Sequence, residues 1–324
     1  MFNDSFYIHR LVKDVINKLN IDISLYVFER GYIRPNFITF EKDGVNGNSK
    51  LPKDPNSYRN YRSCYRFMPY PVKGEDLYWY FYSVLFFLFY IILYPFFPAS
   101  KLRYTNIFKA SIGYIFNVFK KNFYKLNEKP KVKFILNSNK SYYFLPLQVY
   151  NDSQLRFHSP YKSIKEFIQE VLISFSYSAP PDTLLVFKHH PMDIGFVCYK
   201  TFIENLTKQY GISERVIYLK NGDIDTLVKK AIGIITINST VGMTALLHRK
   251  PVKVMGKAVY DIEGLTFKGS LDEFWREATN FRVDEDLLHG FFDYLFDHVL
   301  INGSFYKRIS NKTHTGLIYN SSHL

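Results

Sequence analysis

The positions best suited to chemistry lie where apolar runs end abruptly in small polar or basic residues. The stretch TLLVFKHHP (183–191) passes from a strand-like run into Lys188, His189, His190 and Pro191. The stretch GIITINST (233–240) passes in the same way into Asn238, Ser239 and Thr240, and a helix-like MTALLHR follows. Ser, Thr and Asn at such a junction commonly cap the first free N–H groups of a helix. The same junction can hold a phosphate, because the helix dipole and its unpaired N–H groups favour an anion. These residues alone leave both readings open, with capping the commoner.

The elements that must position them follow from hydrophobic period. From Lys131 onward, strand-like runs alternate with helical ones. The strands are KFILN, YYFLPLQ, TLLVFKHHP, RVIYL, GIITIN and PVKVMG, and the helices between them include 163–175, 196–210 and 223–231. Continuous apolar strands alternating with helices predict an α/β domain with a parallel, doubly wound sheet. In such a sheet, ligands bind outside the carboxyl ends of the strands. That rule brings PLQVYNDSQ with Gln148 and Asp152, KHHPMD, NSTVG, and GKAVYDIEG with Asp261 to one rim. The convergence favours the phosphate reading of Asn238–Thr240.

The first 130 residues read differently. A helix is predicted over 5–20, short strands over 23–28 and 37–40, and a polar Gly/Asn/Pro loop over 41–58. Glu29 and Glu41 fall at the two strand ends, with Arg34 between them. Residues 77–97, LYWYFYSVLFFLFYIILYPFF, are the most apolar segment and are long enough to span a bilayer. Three readings remain for it: a spanning helix, a helix lying in the headgroup layer, or a helix buried between domains. Basic residues follow at Lys101, Arg103, Lys109, Lys120 and Lys121, which would suit anionic lipid. Residues 286–324 read as trailing helices and a polar tail, giving divisions at 1–130, 131–285 and 286–324.

Bulk properties narrow the classes. Forty-two Lys plus Arg against 29 Asp plus Glu give a formal charge of +13, which favours anionic partners. No nucleic-acid recognition module accompanies that charge, so nucleic acid is not expected as a partner. The two cysteines, Cys64 and Cys198, provide neither a disulfide framework nor a cysteine zinc site, and fit a reducing cytoplasm. The opening MFNDSFYIHRLVKDV carries no secretory signal pattern. Adjacent His189 and His190 would point to opposite sides of a strand, and no metal or cofactor is expected.

Several of these segments together carry a family resemblance: FERGYIRPNFITFEKDGVNGNSKLP (28–52), LPLQVYNDSQ (145–154), KHHP (188–191) and TINSTVGMTALLHRKPVKVMGKAVYDIEGLT (236–266), with LDEFW at 271–275. They resemble the bacterial capsule polysaccharide biosynthesis and export family of KpsS/LipB type, whose best-understood members are β-Kdo transferases. The resemblance implies a glycosyltransferase of GT-B type, with two Rossmann-like domains, moving Kdo from CMP-Kdo to a phosphatidylglycerol-type lipid with inversion at the sugar. CMP-Kdo would be a donor substrate, not a cofactor. It also implies a cytoplasmic protein, peripheral on the inner face of the bacterial inner membrane, working beside other capsule assembly and export proteins. By the same resemblance, His190, next to Pro191, would meet the CMP phosphate or the cytidine, as a cation or an N–H donor, with Lys188 adding charge, and Ser239 and Thr240 with the helix N–H groups would hold that phosphate. Gln148, Asp152 and Asn238 would line the donor pocket, Asp261 and Glu263 would reach the ribose or close a loop, and Arg34 would pair with an acidic group. Glu29 and Glu41 are the candidates for the base that takes the acceptor proton.

Two departures accompany the resemblance. The family usually shows two acidic residues before Gly-Tyr, whereas Arg30 follows Glu29 here. FNDSFYIHR at 2–10 resembles a family segment that follows a first Rossmann half, so the N-terminal domain is expected to be truncated. Alternatives are a non-catalytic capsule assembly or export partner, or a transferase using another sugar nucleotide.

Overall fold

The computed structural model describes residues 1, 3–63, 69–93, 96, 123–124, 126–193, 197–309 and 317. Its larger layer is a five-stranded parallel sheet built from β3 (Tyr142–Pro146), β4 (Leu184–Lys188), β5 (Val216–Leu219), β6 (Gly233–Thr236) and β7 (Val252–Val254). The order is β5-β4-β3-β6-β7, so the chain winds outward one way from β3 and then the other way from β6. A crevice opens where the direction reverses, between the carboxyl ends of β3 and β6.

Alternation along the strands builds a core on each face. Phe144, Val186, Ile234 and Val252 point to one side and Tyr143, Leu185, Phe187 and Ile235 to the other. All eight are fully or almost fully buried. The second face is covered by α6 (Ile164–Ser178), which buries Ile164, Phe167, Ile168, Val171, Leu172 and Phe175 at helical spacing. Ser163 caps it by accepting the Glu166 N–H. Also on that side are α7 (Lys200–Gln209) and α10 (Leu271–Glu277), the latter started by a capping box between Ser270 and Glu273. The first face carries α8 (Ile224–Lys230), α9 (Val241–Leu247) and α11 (Glu285–His298).

The stretch expected as the strand KFILN is instead the helix α4 (Lys129–Asn137). Pro130 in its first turn pre-sets the helical φ. Val132, Ile135 and Leu136, three and four residues apart, then meet the core from one side. A short apolar run does not distinguish strand from helix by itself.

The N-terminal part forms a separate antiparallel sheet. β1 (Tyr26–Arg30) pairs with β2 (Phe37–Lys42), preceded by α1 (Tyr7–Lys18). The third strand is not N-terminal. β8 (Leu300–Asn302) pairs with β2, with Ile38 opposite Ile301. The expectation that 286–324 trails off is therefore corrected for residues 285–302. α11 buries Leu287, Leu288, Phe291, Phe292 and Leu295, and β8 completes the N-terminal sheet. Asn302, 1 % exposed, donates to the carbonyls of Asn36 (2.6 Å) and Tyr70 (3.1 Å) and accepts from the Tyr70 N–H. The described residues thus hold one Rossmann-like layer stack, beside a three-stranded antiparallel sheet.

The apolar segment is α3 (Glu75–Leu93). Phe81, Tyr82, Val84, Phe86, Leu88, Phe89, Ile92 and Leu93 are exposed on it, which corrects the reading of a helix buried between domains. Among the described residues, no helix is long and apolar enough to cross a membrane. Lys101, Arg103, Lys109, Lys120 and Lys121 lie outside the described residues, as does Cys64.

α11 crosses the short α2 (Asn56–Arg59) at Gly290, where a Cβ would fall inside van der Waals contact of the Tyr58 carbonyl oxygen. Gly290→Ala is expected to destabilise the fold by about 2–3 kcal/mol in urea unfolding, although alanine is the better helix former. Equal or greater stability would show that the two helices do not approach so closely.

Candidate active site

At the reversal point two carboxamides hold each other. Gln148, just beyond β3, donates from Nε2 to Asn238 Oδ1 (2.8 Å), and Asn238, just beyond β6, donates its backbone N–H to Gln148 Oε1 (3.3 Å). Asn238 Nδ2 then reaches the carbonyls of Gln154 and His158, both at 3.2 Å, and so ties in α5 (Ser153–His158). Asp152 caps α5 by accepting the Gln154 N–H.

Above this pair lies a cleft of about 150 Å³. Glu29 of β1 lines it with Arg34, Asn3 and Asn46 from the neighbouring N-terminal loops, and Gln148, Asp152, His190, Ser239 and Thr240 line it from the segments after β3, β4 and β6. Its volume is below the roughly 300–1,000 Å³ that engulfs a whole small molecule, so it fits one charged group of a larger ligand.

His190 is half-buried and its Nδ1 accepts the Met192 N–H at 3.2 Å. That bond puts the proton of a neutral ring on Nε2, leaving it as a donor. Burial, then Lys188 and Arg34, push the His190 pKa well down. It is therefore a neutral hydrogen-bond donor, one of the two forms that the sequence left open. Lys188 is buried, 3 % exposed, with Nζ 3.1 Å from the His189 carbonyl, so it lies beneath the cleft and does not line it, which corrects its direct donor contact. His189 points away from the cleft: it is fully buried and shares a 2.7 Å hydrogen bond with the Tyr218 hydroxyl. Pro191 begins a single turn of 3₁₀ helix that ends at Asp193.

At the junction Asn238–Thr240 it is the capping reading that holds. Ser239 Oγ accepts the Val241 N–H (3.2 Å), and the Ser239 and Thr240 carbonyls accept from Gly242 and Met243. The first-turn amides of α9 are thereby engaged, which corrects the expectation that they would hold a phosphate. Thr240 makes no side-chain cap bond and lines the cleft.

Glu29 is half-buried, with Oε2 accepting from Asn3 Nδ2 (2.6 Å) and Oε1 from its neighbour's N–H, that of Arg30 (2.9 Å). Burial raises its pKa, against the lowering effects of the Arg30 N–H and of Arg34. Glu41 is different. It is 7 % exposed and does not line the cleft. The Tyr32 hydroxyl and Ser49 hydroxyl both donate to it, and Tyr32 in turn accepts the Asn46 N–H at 2.7 Å. Its direct role as a base is therefore corrected: it shapes the 46–49 loop, including Asn46, whose φ of 55° is left-handed. Asp261 and Glu263 also lie elsewhere. Asp261 Oδ1 accepts from Thr266 (2.7 Å) and pairs with Lys268 (2.5 Å), closing its own loop, and Glu263 is exposed. Asn3 and Gln154 line the cleft without having been singled out from sequence; only Asn3's place beside Asp4 and the His-Arg pair hinted at it. Among the described residues no group of three or more His, Cys, Asp or Glu side chains is placed to hold a metal ion.

A family model described as capsule polysaccharide biosynthesis protein matches residues 1–306. The chain belongs to that family. It is 38 % identical over 292 residues to the capsule polysaccharide export protein KpsS of Escherichia coli, covering 88 % of this chain and 73 % of the relative. It is 33 % identical to the capsule polysaccharide modification protein LipB of Neisseria meningitidis serogroup B, covering 95 % of this chain and 74 % of the relative. Among solved structures, it is similar to the KpsC beta Kdo 2,7 transferase of Thermosulfurimonas dismutans, with 15 % identity, a TM-score of 0.42, and coverage of 94 % and 77 %.

Burial lifts the Glu41 pKa from 4.5 to about 7, against the two hydroxyl donors. Between those values the folded chain keeps a proton that the unfolded chain has released, so this carboxyl's contribution falls as pH rises. Glu41→Gln cannot ionise. Its stability relative to wild type should improve by about 1–2 kcal/mol between pH 5 and pH 8 in denaturant unfolding. Parallel pH profiles would show that Glu41 does not titrate in this range.

Proposed function

We propose that the chain is an inverting GT-B-type glycosyltransferase of capsule assembly that moves Kdo from CMP-Kdo to a phosphatidylglycerol-type lipid. The observation that carries the reading is the cleft itself. A fixed cation (Arg34), a neutral donor (His190), a hydroxyl (Thr240) and a carboxylate of raised pKa (Glu29) meet where an open α/β sheet binds ligands.

The donor offers two anionic groups, its phosphate and the sugar carboxylate. A small polar cleft suits the junction between them, with the cytidine and sugar extending outside it. Arg34 answers one anion with a permanent charge. His190 Nε2–H and Thr240 donate to the phosphate, where negative charge grows as the bond to the anomeric carbon breaks. Glu29 takes the proton of the acceptor hydroxyl while that oxygen bonds to the anomeric carbon, and the departing electron pair stays on CMP. Burial makes Glu29 a better proton acceptor than an exposed carboxylate, and Asn3 fixes its orientation. Asn238, with all its valences used, and Gln148 serve as framework under the site.

The acceptor is a lipid, and the exposed aromatic and aliphatic face of α3 is suited to the headgroup layer of the inner membrane's cytoplasmic side. Other capsule assembly and export proteins would take the product.

The test is transfer from CMP-Kdo to a lysophosphatidylglycerol analogue, with UDP-sugars in parallel. His190→Ala and Arg34→Ala should each lower kcat/KM about 100-fold without a change in unfolding midpoint. Glu29→Gln should abolish the rise of rate with pH. No transfer from CMP-Kdo, or faster transfer from a UDP-sugar, would overturn the donor assignment, and normal rates in all three variants would overturn the site.

A further inference from the structure

Asp193 carries a buried carboxyl that the transfer chemistry above does not use. It is 1 % exposed and ends the single 3₁₀ turn that Pro191 begins. The Asp193 N–H donates to the His190 carbonyl at 3.0 Å, and the Met192 N–H donates to His190 Nδ1 at 3.2 Å. The aim of the His190 ring is therefore set by the turn that Asp193 closes.

The Asp193 side chain leaves this turn and crosses to the neighbouring strand end, where Oδ2 accepts the Tyr150 N–H at 2.8 Å. Tyr150 follows Val149, which lines the cleft. The Val149 carbonyl accepts the N–H of Asp152, which lines it as well, at 3.0 Å. One carboxyl thus joins two walls of the cleft, the wall with His190 and the wall with Val149 and Asp152.

The same carboxyl is poorly supported as an anion. Among the described residues, its buried Oδ1 has no hydrogen-bond partner. Tyr150 supplies a single neutral N–H, and Asp152 on the β3 side repels a second negative charge. Tyr199, ahead of α7, and His189, at the end of β4, also face it, and burial keeps both neutral near pH 7. Burial, reinforced by Asp152, lifts the Asp193 pKa from 3.8 to about 7. A neutral acid can stay in this place. A charged one needs water or further donors, and these gain entry only if the two loops part.

We propose that Asp193 is a positioning residue for His190: its protonated carboxyl holds the turn after β4 against the loop after β3, and loss of that proton slackens the hold and moves the His190 ring. The coupling between the two side chains stands by itself; that it governs a contact made in transfer rests on the glycosyltransferase reading.

The ring of His190 is the reporter. Burial, then Lys188 and Arg34, push its own pKa down to about 3, so the ring does not titrate between pH 6 and pH 8.5. In the full chain labelled with ¹⁵N at histidine, the His190 ring signals are assigned by their absence in His190→Gln. They should shift in one step centred near pH 7. Asp193→Asn keeps the shape and the acceptor for Tyr150 but cannot ionise, and it should remove the step with the unfolding midpoint at pH 6 unchanged. No step in wild type, or the same step in Asp193→Asn, overturns the proposal. In transfer from CMP-Kdo, kcat/KM of Asp193→Asn relative to wild type should rise about 10-fold between pH 6 and pH 8. Taking that ratio cancels the titration of Glu29, which both proteins carry. A constant ratio confines Asp193 to holding the fold and overturns its positioning role. The His190 step in a chain that transfers nothing from CMP-Kdo keeps the coupling and discards the enzyme reading.

Discussion

The exchange of hydrogen bonds between Gln148 and Asn238 is the constraint from which the rest of the site follows. Two parallel strands diverge at the reversal of winding, and nothing in the sheet's own ladder holds their ends together beyond that point. A side chain from each end closes the gap, using a donor and an acceptor of each residue. Asn238 spends its remaining donors on α5, so the helix beginning at Asp152 is fixed to the same frame. Removing one partner would leave buried polar atoms of the other unpaired, which costs more than the bond itself contributes. The positions of Asp152, Ser239 and Thr240 depend on this one closure.

Around that frame the ionisable groups are sorted by burial. His190 and His189 are pushed toward the neutral form, the latter to about 4, while Asp193 is raised to about 7 and Glu41 to the same level. Desolvation is the first cause in all four. At the cleft Arg34, which no burial of this degree can deprotonate, shares the lining with the carboxyl groups of Glu29 and Asp152. The result is a site that sets a permanent cation and neutral hydrogen-bond donors beside two carboxyl groups, in a partly desolvated cleft where their interactions are stronger than in water. Asp193 contributes structure as well: it accepts the Tyr150 N–H at 2.8 Å and thereby joins the loop after β4 to the loop after β3.

The parallel sheet was legible because its strands are apolar throughout and helices such as the one capped by Ser163 carry plain start signals. The rim was legible for the same reason: a doubly wound sheet has one place for a ligand, and Gln148, His190 and Thr240 stand at strand ends. Local signals could not assign α4, where Val132, Ile135 and Leu136 find a core that the sequence does not announce. They could not find β8, a three-residue strand whose partner lies some 260 positions earlier. They also could not separate Glu29 from Glu41. Both sit near strand ends, but a one-strand difference in sheet geometry sends Glu41 inward to Tyr32 and Ser49 and leaves Glu29 at the cleft. Whether a hydroxyl such as Ser239's faces a ligand or the backbone is settled by turn geometry, which residue type does not reveal.

The pairing of β2 with β8 has a consequence for how the chain comes together. A ribosome releases β1 and β2 long before residue 300 exists, so during synthesis the edge of β2 is left with its amides and carbonyls unanswered. Open edges of this kind recruit strands from other chains. Contacts so distant in sequence also form slowly, since a long loop must close before they gain anything. The cleft draws Glu29 and Arg34 from that same early sheet. Until β8 pairs, the sheet that carries Glu29 and presents the loop with Arg34 to the cleft is therefore incomplete along its β2 edge.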